Sequence, residues 1–236
     1  MKAGVDAAGV EAAARAALAL IDDGARVGLG TGRAASAFIA GLAERARAGL
    51  SVTCVATSEA SARQARAAGL RVVALDAAGE LDVTVDGADE VAPNLDLLKG
   101  RGGAFVRERI VAAASRRQVI VVGPEKLVAT LGATGPIPVE VIPMALGFAT
   151  RRMIAAGIQV TPRLDENGQQ RVSDNGNLII DVAPATPLAG ANAARALDSA
   201  LRAIPGVVDT GLFFGTAAIV MIGHPDGRVD TRRRAD

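Results

Sequence analysis

Asp86 and Asp89 stand around a glycine in Val85-Asp86-Gly87-Ala88-Asp89-Glu90, directly after the strand-like run Leu81–Val85. Lys99 follows at the mouth of the turn Gly100-Arg101-Gly102-Gly103, and Glu108 lies in the apolar segment behind that turn. Carboxylates and one ammonium in so short a span are the parts of an acid–base site: a base to lift a proton, and a cation to steady the charge left behind. If Ala104–Ser115 is a helix, its period places Ala104, Phe105, Val111, Ala112 and Ser115 on the side of Glu108, with Val106, Ile110 and Ala113 on the other. Such a helix is apolar nearly all round and is expected to be buried. A glutamate on it is costly unless it has a partner or works as a protonatable base. The plainer reading is a structural ion pair with Arg107, Arg109 or Lys99.

The elements that must position these groups alternate. Residues 7–21 read as a helix, Arg26–Gly30 as a strand, Ala34–Ala48 as a helix, Ser51–Ala56 as a strand and Ser58–Ala68 as a helix. Arg71–Leu75, Leu81–Val85 and Gln118–Val122 read as further strands. This alternation predicts an α/β fold, a Rossmann-like, mostly parallel sheet flanked by helices. After Gly123-Pro124-Glu125-Lys126 the pattern changes. Met144–Ala156 reads as a helix, and Ile158–Arg163, Gln169–Val172 and Leu178–Val182 as strands separated by two Asn-Gly turns. Pro187–Ile204 closes as a helix. These elements predict a smaller inserted α+β domain, ferredoxin-like, over residues 131–204. Residues 1–130 and 205–236 then form the catalytic domain, with Val207–Asp209, Gly211–Phe213 and Ala217–Ile222 completing its sheet.

Composition narrows the function. A chain of 236 residues with a formal charge of +1, no Trp or Tyr and five Phe has neither the basic surface nor the stacking platforms of a general nucleic-acid binder. The basic end Arg232-Arg233-Arg234 reads as a solvated terminus. Cys54 is the only cysteine and His224 the only histidine, so neither an intrachain disulfide nor a multi-histidine metal cluster can be built. No signal peptide or apolar span of membrane length is visible, which makes the cytoplasm the default.

Two motifs carry rival readings. Gly30-Thr31-Gly32-Arg33-Ala34-Ala35 matches a dinucleotide fingerprint, but the next strand does not end on the acid that would hold a ribose. The same loop can instead cradle a phosphate or a sugar hydroxyl with its amides, or be a bare strand-to-helix turn. Asp86, Asp89 and Glu90 are hard oxygens that suit Mg²⁺ or Ca²⁺, yet their spacing fits no EF-hand and Lys99 is a cation close by. As turn and cap residues they would need no ligand. Thr31, Asp86 and Lys126 each fall just past a strand's carboxyl end, where open α/β sheets bind ligands.

Taken together, these residues resemble the ribose-5-phosphate isomerase family of the A type. The resemblance runs through Gly28-Leu29-Gly30-Thr31-Gly32, Thr57-Ser58, Asp86-Gly87-Ala88-Asp89-Glu90, Lys99 to Ala104 with Glu108, Pro138-Val139-Glu140-Val141, Gly206-Val207-Val208 and Gly211-Leu212-Phe213. It implies interconversion of ribose 5-phosphate and ribulose 5-phosphate in the non-oxidative pentose phosphate pathway, through an enediolate and without metal or cofactor. It also implies a homodimer or homotetramer. By the same resemblance Glu108 shuttles hydrogen between C2 and C1, Asp86 and Asp89 hold hydroxyls and help open the ring, and Lys99 stabilises the oxyanion. The substrate is lined by Thr31, Gly32, Arg33, Ala34, Gly87, Ala88, Gly100, Arg101, Gly102 and Lys126. Three departures stand out: Arg33-Ala34 where the family has Ser-Thr, Arg109 where it has Lys, and Gly123-Pro124-Glu125 where it often has Asp-Glu-Ser. Two rivals share the scaffold: a sugar-phosphate sensor domain of a transcription regulator, and a deaminating or acyl-transferring enzyme. Only one helix precedes the first strand, which is too little for a helix-turn-helix, and His224 is poorly placed for amino-sugar ring opening.

Overall fold

Short runs of Val, Ile and Leu form the strands, and the Ala-rich segments between them form the helices, in a computed structural model that describes residues 2–234. In chain order these are α1 (Lys2–Leu18), β1 (Arg26–Leu29), α2 (Arg33–Arg47), β2 (Thr53–Ala56), α3 (Glu59–Ala67), α4 (Leu75–Ala78), β3 (Val83–Asp86), β4 (Glu90–Val91), β5 (Leu97–Leu98) and α5 (Phe105–Ala113). They continue as β6 (Gln118–Val122), β7 (Ile137–Val141), α6 (Leu146–Ala155), β8 (Ile158–Pro162), β9 (Leu178–Pro184), α7 (Ala191–Arg202), β10 (Val207–Thr210), β11 (Leu212–Phe213), β12 (Ala217–Gly223) and β13 (Val229–Arg233). The chain divides into two compact units. One comprises the residues up to Ala88, Arg107–Leu127 and the stretch from Gly215; the other comprises Asp89–Val106 and Val128–Phe214. These limits differ from the division at 130 and 205 drawn from sequence.

The first unit is a six-stranded sheet in the order β13-β12-β6-β3-β1-β2. All its neighbours pair in parallel except β13, which folds back on β12 as a hairpin. Strands buried on both faces read as continuous apolar runs, and β3 and β6 are buried at every position. On one face Val27, Leu29, Val83, Val85, Val119 and Val121 join Ala13, Ala14 and Ala17 of α1 and Phe38, Ile39 and Leu42 of α2. Small residues let α1 approach the sheet: a Cβ on Gly9 would lie 2.4 Å from the Gly223 carbonyl oxygen. A second cluster joins Val55, Ala78, Leu81 and Val111. Cys54 is buried in β2, and burial pushes its thiol up to about 12.

The expected strand Arg71–Leu75 is reduced to a single bridge, Cys54 to Val72, because the chain turns into α4 at Leu75. The helix α5 is buried on both sides only in its first turn, where Phe105 and Val106 are inside. Glu108, Val111 and Ala112 are inside, whereas Ile110 is 51% exposed and Ala113 is also in solvent, so the all-round burial expected from its composition is not what forms. Among the described residues no helix is long and apolar enough to cross a membrane.

The second unit holds a four-stranded antiparallel sheet, β10-β7-β9-β8, and a three-stranded one, β11-β5-β4. Strand alternation gives the larger sheet one apolar face: Val139, Val141, Ile180 and Val182 meet Ala149 and Met153 of α6 and Leu201 of α7. The two Asn-Gly turns form as expected, with Gly168 and Gly176 at φ of 76° and 79°. The run Gln169–Val172 makes isolated bridges to Leu164 and Leu178 rather than a strand of its own. Val207–Asp209 and Leu212–Phe213 do not complete the first sheet. They pair with β7 and β5, and only Ala217–Gly223 joins the large parallel sheet.

Candidate active site

In the first unit, parallel strands bring their carboxyl ends to one edge of the sheet. The turn after β1 starts there, with the Gly30 amide donating to the Val85 carbonyl at 2.9 Å. Asp86, at the end of β3 and fully buried, then takes over: its Oδ1 accepts the amides of Thr31 at 3.0 Å and Gly87 at 2.8 Å. Gly30 must be glycine because a Cβ would lie 2.1 Å from that oxygen. Gly32 has a φ of 98° and caps α2 without a side-chain bond. The first-turn amides of this 15-residue helix, those of Arg33 and Ala34 among them, have no partner within it. Arg33 is exposed and Ala34 half-buried, packing where a Cβ on Gly87 would come within 3.5 Å of it.

A run of hydroxyls fixes the turn from the β2 side. Thr31 Oγ1 donates to Ser58 Oγ at 2.9 Å, Ser58 to Ser61 at 3.0 Å, and Ser61 to the Gly30 carbonyl at 2.7 Å. Thr57 Oγ1 lies 2.8 Å from Thr31 Oγ1 and donates to the Leu29 carbonyl. Ser58 is also the N-cap of α3, accepting the Ser61 amide at 3.1 Å. Thr31 therefore anchors the loop with both its amide and its hydroxyl. On α5, Arg107 pairs with Glu59 at 2.9 Å, which sets the first turn of that helix beside the start of α3, close behind Thr57 and Ser58. The next residue, Glu108, is 5% exposed. Lys126 ends a short helical turn after β6, at the same edge, and is half-buried.

In the second unit, β4 and β5 pair antiparallel with Glu90 opposite Leu98, so Asp89 and Lys99 leave the small sheet at the same end. The Asp89 amide donates to the Leu98 carbonyl at 2.8 Å, and its Oδ2 accepts the Arg101 amide at 2.9 Å. Lys99 is 3% exposed, its amide donates to the Gly211 carbonyl at 2.9 Å, and its ammonium lies 5.7 Å from the centre of the Phe213 ring. Gly100 and Gly103 have φ of 105° and 84°, which lets the turn fold tightly. Arg101 reaches Thr134 Oγ1 at 2.8 Å. Glu90 accepts the amides of Gly132 and Thr134, each at 2.6 Å, together with the Thr134 hydroxyl. Its oxygens take these protein donors, so it secures the 132–134 turn.

Comparison with known proteins assigns the chain to a family. A family model for ribose 5-phosphate isomerase A (phosphoriboisomerase A) matches residues 53–227. The chain is 45% identical over 219 residues to "Ribose-5-phosphate isomerase A" of Thermomicrobium roseum, covering 92% of this chain and 90% of that one. It is 45% identical over 242 residues to the protein of that name from Nitrobacter hamburgensis, covering 97% and 99%. This chain belongs to the ribose 5-phosphate isomerase A family. A solved D-ribose-5-phosphate isomerase in complex with phospho-erythronic acid superposes with a TM-score of 0.89 at 34% identity, covering 95% of this chain and 97% of that one.

The turn after β1 is held by Ser58, which the sequence offered only within the Thr57-Ser58 motif and without a role, and by Ser61, which inspection of the sequence did not single out. Their signal was available: a serine at the start of a helix with a second serine three residues on is an N-cap pattern, here turned to a second use. The ion pair of Glu108 with Arg107 that the sequence left open has a competitor, because Arg107 is taken by Glu59.

Proposed function

We propose that this isomerase-family chain interconverts ribose 5-phosphate and ribulose 5-phosphate through a metal-independent enediolate. Glu108 takes the hydrogen from C2 of the open-chain aldose, and the charge moves onto the C1 oxygen. Lys99 stabilises that oxygen. The O2 hydroxyl passes its proton to O1, and the carboxylic acid returns the hydrogen to C1 as O2 becomes the ketone. The observation that carries this reading is the withdrawal of both groups from water, to 5% for Glu108 and 3% for Lys99. A carboxylate gains basicity when desolvated, and a cation acts more strongly on a nascent oxyanion where water is excluded. Asp89 binds a sugar hydroxyl and assists ring opening. Asp86 contributes chiefly by holding the Thr31 turn, since its Oδ1 already takes two amides.

The phosphate takes the amides of Gly32, Arg33 and Ala34 at the start of α2, with Lys126 and the Arg33 guanidinium as cations. Gly87, Ala88, Gly100, Arg101 and Gly102 contact the sugar. The bound phospho-erythronic acid of the related isomerase supports a phosphorylated, open-chain polyol as ligand class. The single free cysteine supports a reducing compartment, the cytoplasm. Exposed Met144 and Phe148, at 89% and 43%, support assembly into a homodimer or homotetramer.

The test is formation of ribulose 5-phosphate from ribose 5-phosphate in EDTA. Wild type turns over. Glu108→Gln, which keeps shape and burial, loses about 10²–10⁴-fold in kcat, the usual worth of a positioned base. A mutant with wild-type kcat, or a wild type that needs added metal, refutes the assignment.

A further inference from the structure

The turn from Lys99 to Gly103 is gripped by a residue far along the chain. Arg163, just past β8, donates from Nη1 to the carbonyls of Gly100 at 2.6 Å and Arg101 at 3.3 Å. Its Nε donates to Asp181 Oδ2 at 2.9 Å, and its Nη2 to Asp181 Oδ1. The pair is largely sheltered, with side-chain exposures of 15% and 16%.

Strand register explains why both groups face the turn. Asp181 stands opposite Thr161 on β8 and opposite Pro138 on β7, so Arg163, two residues after Thr161, shares their face. That face is the reverse of the apolar one packed on α6 and α7. The turn rests on it: a Cβ at Gly100 would come within 3.0 Å of the Pro138 ring, and one at Gly103 within 2.9 Å of Ile179. The backbone of Arg163 is itself fixed, its amide donating to Ile179 at 3.2 Å and its carbonyl accepting from Arg171 at 2.8 Å. A planar guanidinium serves a carboxylate on one edge and carbonyls on another, which a lysine ammonium cannot do in the same geometry.

We propose that Arg163, oriented by Asp181, is a positioning residue for Lys99. It sets the two carbonyls that follow Lys99, and so fixes where the ammonium meets the developing oxyanion. This rests on the oxyanion role given to Lys99. An error of about 1 Å in such a group costs about 100-fold in rate. The effect falls on kcat, because the charge that Lys99 meets exists only in the transition state.

The experiment measures kcat, KM and melting temperature for wild type, Lys99→Met, Arg163→Ala, Arg163→Lys and Asp181→Asn, with and without millimolar guanidinium ion. Arg163→Ala is expected to lose about 100-fold in kcat with KM within about twofold. Arg163→Lys and Asp181→Asn are expected to lose about 10-fold, since each keeps part of the grip. Guanidinium restores part of the kcat of Arg163→Ala and none of that of Lys99→Met. If Arg163→Ala does not fold, Arg163→Lys decides: wild-type kcat at unchanged melting temperature overturns the proposal. So does a loss carried by KM, or one that guanidinium leaves untouched. An inactive Lys99→Met beside fully active Arg163 variants removes the positioning role alone, whereas a fully active Lys99→Met removes the oxyanion reading and this inference with it.

Discussion

The turn after β1 is held from next door, and the turn after β5 from far along the chain. Around Gly30 and Thr31 the anchors come from neighbouring strand ends and the start of α3: the Val85 carbonyl, the Asp86 carboxylate and the hydroxyls of Thr57, Ser58 and Ser61. Around Gly100 the anchors come from several places in the second unit: Asp89, Gly211 and the guanidinium of Arg163. At Gly30 the first turn meets backbone, the Asp86 Cα, whereas at Gly103 the second meets only the tip of a side chain and relies on a left-handed glycine. The two should therefore fail in different ways.

Gly30→Ala should cause the largest loss. Its Cβ would meet the Asp86 carboxylate at 2.1 Å and the Asp86 Cα at 2.6 Å, and backbone cannot swing away as a side chain can. A loss of about 3 kcal/mol is expected, read from the urea midpoint. A change below about 1 kcal/mol would erase the distinction between the turns. Gly103→Ala comes next, at about 1.5 kcal/mol, mostly the cost of a positive φ. The nearest atom there is the terminal methyl of Ile179 at 2.9 Å, which can rotate aside. Should Gly103→Ala prove the more damaging of the two, the second turn is the tighter one. Thr57→Val is smallest, at about 1 kcal/mol, because it removes one hydroxyl from a set that retains Ser58 and Ser61. Thermal melting of Thr57→Val against Ser58→Ala would show whether the hydroxyls act singly or as a group.

The same contrast governs what the sequence discloses. The parallel sheet, the turn after β1 and Asp86 at the end of β3 are legible because α/β geometry places such residues at strand ends. The three-stranded sheet is not, since strands of two residues are too short for any period to register. Val207–Thr210 and Leu212–Phe213 resemble any other apolar run, and nothing local tells which sheet they will join. The grip on Lys99 is hidden for a further reason. Arg163 looks like a solvated charge at a strand end. Asp181 was the better clue: an acid inside the run Leu178–Val182 must find a partner if that strand is buried.

The hairpin strand β13 ends one side of the large sheet, and its outer residues Arg232 and Arg233 are exposed. The basic end, solvated as its sequence suggests, is also a fender. A bare strand rim invites another chain to pair, but two copies of this one would bring their guanidinium groups together, and like charge repels. Fibrous growth from this rim is discouraged by the chain's own last strand.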